Sequence, residues 1–176
     1  LRHFRLEPAS EVKFLELADR ELKNAYLQRY ALSPQGEIFL LQQEDISDAV
    51  GYFAEWPLSA EAQKQMLADA RLELVLAYVQ RHDLGAEAES LLFVPELAEA
   101  ARLYVRLYPL FEASEAKMMA MEDAAMVADY LEHDGLHEAA ELMLLSNTFC
   151  HLAPAYAEKW GFGEKAAREF AQKSGK

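Results

Sequence analysis

The chain has 176 residues, 52% of them hydrophobic, with only 7 Gly and 6 Pro, so disorder and a turn-rich all-β fold are excluded and an all-α class is expected. A net charge of −13 argues against a general nucleic-acid binder, which needs clustered Lys and Arg, while leaving room for a basic partner. The single cysteine, Cys150, excludes an internal disulfide and a cysteine-rich metal site, and the cytoplasm is the expected compartment.

Taken in chain order, the first feature is a constant stride. Starting at Leu6 and stepping by 26 residues gives Leu32, Leu58, Leu84, Leu110, Leu136 and Phe162, with no insertion or deletion. A second column is Tyr26, Tyr52, Tyr78, Tyr104, Tyr130 and Tyr156. A small-residue column holds Ser10, Gly36, Ala62, Ala88, Ser114, Ala140 and Ala166, and a large apolar one holds Phe14, Leu40, Met66, Leu92, Met118, Leu144 and Phe170. Each repeat resolves into two short helices. The first follows a capping residue, as in Ser33 before Pro34, and buries the small and large columns with Leu41, Leu67, Phe93 or Met119. The second starts near Asp19, Asp45 and Asp123 and carries a face such as Leu74, Val75, Tyr78, Val79 and His82. It stops at Pro57, Asp83, Pro109, Gly135 and Gly161 in successive repeats.

One such hairpin cannot bury its apolar face, whereas a stack of them shares a core. The small column is expected to let first helices approach closely. The tyrosines are expected to pack between hairpins with their hydroxyls at the edge; an aromatic binding face is the alternative. Residues 1–5 align with the end of a second helix and are expected to be the remnant of a preceding repeat. Residues 6–161 form six tandem repeats, and residues 162–176 supply a more polar C-terminal capping helix and tail, expected to be the natural end of the array.

The pattern resembles α-solenoids of helical hairpins, in the manner of HEAT, TPR and leucine-rich-variant repeats, over Leu6 to about Gln172 and in architecture only. The unit is shorter than TPR, ankyrin or HEAT units, and the TPR landmarks and the leucine-rich-repeat consensus are absent. The resemblance implies a right-handed α-α superhelix of about six hairpins and a surface that binds other macromolecules.

No Gly-rich phosphate loop, GxSxG, HExxH or CxxC pair occurs. His133, Asp134, His137, Glu138 and Glu141 cluster in sequence, but Gly135 sits at a turn and separates the two histidines, so no metal and no cofactor are expected. Cys150 beside His151 falls on an apolar column and reads as a buried structural thiol rather than a nucleophile. Glu11, Glu37, Glu89, Glu115 and Glu141 recur in the first turn of first helices, and Arg29, Arg81, His133 and Lys159 near the ends of second helices. Both sets suit the helix dipoles and are expected to pair along one exposed edge.

Departures from the columns point to function. Leu103 stands where other repeats carry Ala25, Gly51, Ala77, Asp129 and Ala155; Leu107 interrupts the polar column of Arg29, Arg81, His133 and Lys159; Phe111 stands where Ser33, Ser59 and Gly85 occur. With Arg102 and Arg106 beside them, these residues are the candidate partner-binding site; packing of the three on one another is the alternative. Pro154 is expected to shorten the second helix of its repeat. The longest uncharged run, Leu142–Ala157, is 16 residues and interrupted by polar groups, so no membrane insertion is expected. The expected function is a non-enzymatic repeat scaffold for a protein or peptide partner, within a longer repeat protein. The alternatives are a nucleic-acid-handling or enzymatic solenoid, and end-to-end self-association through the N-terminal edge at Leu1.

Overall fold

The computed structural model describes residues 6–146 and 148–174. The expected N-terminal remnant and the self-association edge at Leu1 lie outside them. The described residues form thirteen α-helices and one 3₁₀ turn (Pro95–Leu97), without a strand. In order they are α1 (Pro8–Leu17), α2 (Arg20–Leu27), α3 (Pro34–Leu41), α4 (Ser47–Phe53), α5 (Ala60–Ala68), α6 (Leu72–Val79), α7 (Ala86–Leu92), α8 (Ala98–Val105), α9 (Glu112–Ala120), α10 (Ala124–Leu131), α11 (Glu138–Leu144), α12 (Ala153–Lys159) and α13 (Glu164–Ser174). None of these helices is long and apolar enough to cross a membrane.

The chain divides into two compact units, Leu1–Leu91 and Leu92–Lys176. In the first, α1, α3 and α5 pack side by side, and α2, α4 and α6 form a parallel row. In the second, α9, α11 and α13 make one row and α8 packs on α10. Within these rows each helix contacts its equivalent one repeat away, as a stack of hairpins requires.

Local chemistry sets the ends of these helices. Ser33 and Ser59 accept from the backbone N–H three residues on, at Gly36 and Ala62, and Pro34 opens α3. Asp19 and Asp123 cap α2 and α10 in the same way. Asp45 lies one residue further out than expected: it accepts from Ser47 N at 2.9 Å, and Ile46 holds the cap position. Gly161 turns the chain after α12 with φ +74°, a conformation that suits glycine.

The core contains a feature that the repeat columns did not reveal. Glu11, Glu37, Glu89, Glu115 and Glu141, expected on an exposed edge, are all buried, at 0 to 5% exposure, and so are the tyrosines of the second column. Each described pair meets inside its own hairpin: Tyr26 Oη donates to Glu11 Oε1 at 3.1 Å, Tyr52 to Glu37 at 3.0 Å, Tyr130 to Glu115 at 3.0 Å and Tyr156 to Glu141 at 3.0 Å. The second carboxylate oxygen reaches the following repeat and accepts from the backbone N–H that begins its first helix. These donors are Ser33 N (2.7 Å), Ser59 N (2.9 Å), His137 N (2.8 Å) and Gly163 N (2.9 Å). The phenol oxygen in turn accepts from the N–H of the leucine that opens its own repeat, at 3.0 Å for Leu32 and Tyr52 and for Leu136 and Tyr156. The tyrosine hydroxyls are thus interior groups, and these five glutamates lie in the interior and not on an exposed edge of paired charges.

A carboxylate is costly to bury unless its oxygens are satisfied, and here both are. The third repeat keeps the geometry without the charge. Gln63 Nε2 donates to Tyr78 Oη at 3.1 Å while its Oε1 accepts from Gly85 N at 2.9 Å. At Gly36, one member of the small column, a Cβ would overlap Glu11 Oε2. Ser114 owes its position to size, because its buried Oγ has no hydrogen-bond partner among the described residues.

A second recurrent bond closes the other end of the hairpin. Trp56 Nε1 donates to Leu27 O and Trp160 Nε1 to Leu131 O, both at 2.9 Å, and His82 Nε2 lies 2.6 Å from Phe53 O, so that nitrogen carries the proton. Each acceptor is the last residue of the preceding second helix, whose carbonyl has no partner within its own helix. Lys159, expected in an ion-paired column, also caps this end through Leu131 O and Glu132 O. First helices are closed by other cations, Arg71 on Leu41 O at 2.7 Å and Lys173 on Leu145 O at 2.9 Å.

In α13 the position of the buried Glu is taken by Ala167, so the carboxylate relay stops there. Pro154 falls in the first turn of α12, which begins only at Ala153 and is one of the short helices, as expected. Thr148–Leu152 forms turns instead of helix, and Cys150 is therefore exposed, not buried as its column suggested.

Two outcomes follow from the buried relay. Glu37→Ala strands Tyr52 Oη and Ser59 N–H and is expected to cost about 2–4 kcal/mol in denaturant unfolding, whereas Glu37→Gln, which copies Gln63, is expected to cost under about 1 kcal/mol. Burial also pushes the phenols up, Tyr78 to about 12 and Tyr52, Tyr130 and Tyr156 higher still. Folding thus favours their protonated form. That contribution is complete below the unfolded value of about 10 and is lost as pH rises through the folded values. Tyrosinate absorbance from these residues is expected to appear together with loss of helical circular dichroism; ionisation of all 8 tyrosines near pH 10 with helicity intact would contradict the buried relay.

Candidate functional site

The five residues singled out by their departure from the columns lie on α8, on the turn after it and at the start of α9, all within the second unit. The apolar positions of α8 that continue the repeat, Ala101, Tyr104 and Val105, face inward and are at most 1% exposed. That orientation turns the remaining positions outward. Leu103 is half-buried, while Leu107 and Phe111 are 48% and 49% exposed, among the largest apolar side chains left in solvent. Leu107 follows the end of α8, and Phe111 holds the position before the first turn of α9, where other repeats place a small or polar residue.

The two arginines are not free cations. Arg102 Nε donates to Asp123 Oδ2 at 2.8 Å, and Arg106 Nε donates to Asp129 Oδ2 at 2.9 Å. Both acids belong to the next second helix, Asp123 as the cap of α10 and Asp129 on its outer face. Burial pushes the Asp123 carboxyl up, but the Met126 N–H, the Arg102 guanidinium and the Ala125 N–H together hold it below its ordinary range. The patch is therefore apolar with a neutralised border, where a basic border was expected.

Beside Leu107 the surface opens into a cleft of about 300 Å³. Its walls are the end of α8 and the turn through Pro109 on one side and His133 with Asp134 on the other. The repeat columns, read for what they contain, do not reveal this cleft. The signal was present in the column Tyr30, Trp56, His82, Tyr108, Asp134 and Trp160, in which Asp134 alone carries no ring. A second, more apolar groove of about 210 Å³ lies between α10 and α12, bordered by Leu131, Leu152, Tyr156 and Trp160.

The residues weighed as metal ligands go separate ways. Asp134 Oδ1 accepts from Gly135 N at 2.9 Å, Glu141 belongs to the buried relay, and His137 Nδ1 sits 3.0 Å from Glu115 Oε1. Among the described residues no group of three or more acidic, histidine or cysteine side chains is placed to hold a metal ion. Burial raises the Glu115 carboxyl, and the hydrogen bonds from His137 and Tyr130 oppose that shift. The same carboxylate lifts His137 above the ordinary imidazole value. These perturbed groups are committed to a junction between hairpins, and they do not converge on an open pocket.

In comparisons with family models, curated proteins and solved structures, nothing matches the chain.

Because the Arg102 and Arg106 side chains are about half exposed, removing them is expected to matter little for folding. Arg102→Ala and Arg106→Ala should each cost less than about 1 kcal/mol, and the cost should shrink further in high salt. Denaturant titrations at low and high ionic strength measure both.

Proposed function

We propose that this chain is a non-enzymatic helical-repeat scaffold that binds a protein or peptide partner through the surface around Leu103, Leu107 and Phe111. The observation that carries the proposal is the exposure of Leu107 and Phe111 at positions where sibling repeats keep small or polar residues. An apolar centre with a polar rim is the usual anatomy of a protein contact, and Arg102–Asp123 and Arg106–Asp129 supply such a rim.

Neutralisation of both arginines favours a protein over a nucleic acid, which would call for uncompensated cations facing the phosphates. The perturbed buried groups, often a mark of catalysis, are here accounted for by the Tyr–Glu relay and the Glu115–His137 contact.

The expected outcome is that Leu103→Ala, Leu107→Ala and Phe111→Ala combined lower affinity for a co-purified partner by about 30-fold or more, with helicity unchanged. Isothermal titration with the partner, beside far-ultraviolet circular dichroism, reads both quantities. Equal affinity of the triple variant and the unaltered chain would remove this surface from consideration.

A further inference from the structure

At three described places a ring closes the end of a second helix, and at α8 that ring is missing. The best-defined instance is Trp160. Its indole N–H donates to Leu131 O at 2.9 Å, and its ring lies over Gly135, with carbons 3.5–3.7 Å from the point a Cβ there would occupy. One repeat earlier the equivalent positions are Val105 for Leu131, Pro109 for Gly135, His133 for Lys159 and Asp134 for Trp160. Those four residues are walls of the cleft of about 300 Å³ beside Leu107. The cleft is the space a ring fills in the following repeat, left open because Asp134 is short and bonds its own neighbour, Gly135 N.

The acceptor that a ring would meet is also in place. Val105 is the last residue of α8, and the residue four positions on is Pro109, which has no N–H to offer its carbonyl. No described side chain donates to Val105 O. A helix-end carbonyl in this position calls for an external donor. Leu107 and Tyr108 provide apolar wall on one flank, and an indole combines such a wall contact with one N–H donor.

We propose that this cleft receives a tryptophan side chain from a bound peptide, with the indole N–H donating to Val105 O as Trp160 donates to Leu131 O. The inference rests on the reading of the Leu103–Phe111 surface as the partner-binding site and names the chemistry of the residue that anchors there. The partner thereby supplies from outside what the chain supplies for itself at Leu27, Phe53 and Leu131.

The test uses the whole chain and N-acetyl-5-fluorotryptophanamide as probe, observed by fluorine nuclear magnetic resonance so that Trp56 and Trp160 do not interfere. Saturable binding is expected, with shifts at the Leu107 methyl groups. The 1-methylindole analogue, which lacks the donor, should bind at least tenfold more weakly. Asp134→Trp places a ring in the cleft from the chain itself, and is expected to abolish probe binding and raise the melting temperature. Should that variant fail to fold, Leu107→Lys at an exposed position serves instead and should weaken the probe at least tenfold. No saturable binding, equal binding of the methylated probe, or undiminished binding by the folded Asp134→Trp variant or by Leu107→Lys would each overturn the proposal. If the triple alanine variant loses its partner while the probe does not bind, the indole anchor is wrong and the surface stands. If the probe binds as expected while the triple variant keeps its partner, the cleft stands as an indole site and the wider surface does not.

Discussion

A buried carboxylate that grips two hairpins at once is the constraint from which most of this structure follows. One oxygen takes the phenol proton of its own repeat, and the other takes the amide that starts the next. Helical hairpins this short have little surface with which to define their mutual orientation, and apolar packing alone is tolerant of sliding. The carboxylate removes that freedom, because two donors at fixed positions satisfy it in only one register. The invariance of the tyrosine column and the constant spacing both answer to this requirement.

The repeat was legible in the sequence because its signals are local and periodic: Tyr26 to Tyr156 at one stride, Ser33 with Pro34 at a helix start, Pro154 in a shortened helix. The interior acid was not, for a physical reason. A Glu in the first turn of a helix is normally explained by the dipole and by solvent, and nothing in hydropathy distinguishes Glu37 from an exposed neighbour such as Glu61. The distinction lay in the pairing of two columns, since Tyr26 to Tyr156 and Glu11 to Glu141 keep a constant separation, with only Gln63 replacing an acid. Cys150 was misplaced for the opposite reason: the column assumed a helix that the chain does not make between Thr148 and Leu152.

The candidate site shows the same division. Leu107 and Phe111 were visible as apolar residues in polar or small columns, and both are exposed. The neutrality of Arg102 and Arg106 was not, because Asp123 and Asp129 become their neighbours only when α10 packs on α8. The cleft beside Leu107 is an absence, and a column read for what it contains passes over the one member, Asp134, that leaves its place empty. A polar residue substituted for a ring can thus mark a site as well as an apolar residue substituted for a polar one.

The bonding pattern also limits how such a gene can change length. Excising one whole module of 26 residues from within either unit would return each remaining acid to an amide of the same kind, so every partner could be found again. Dropping a single codon inside a module would set its phenol out of step with its acid and leave a carboxyl group in the interior without its donors. Recombination in full modules therefore preserves the bonding pattern, whereas small frame-preserving indels between acid and phenol break it. The unbroken stride along the chain is the mark such selection would leave.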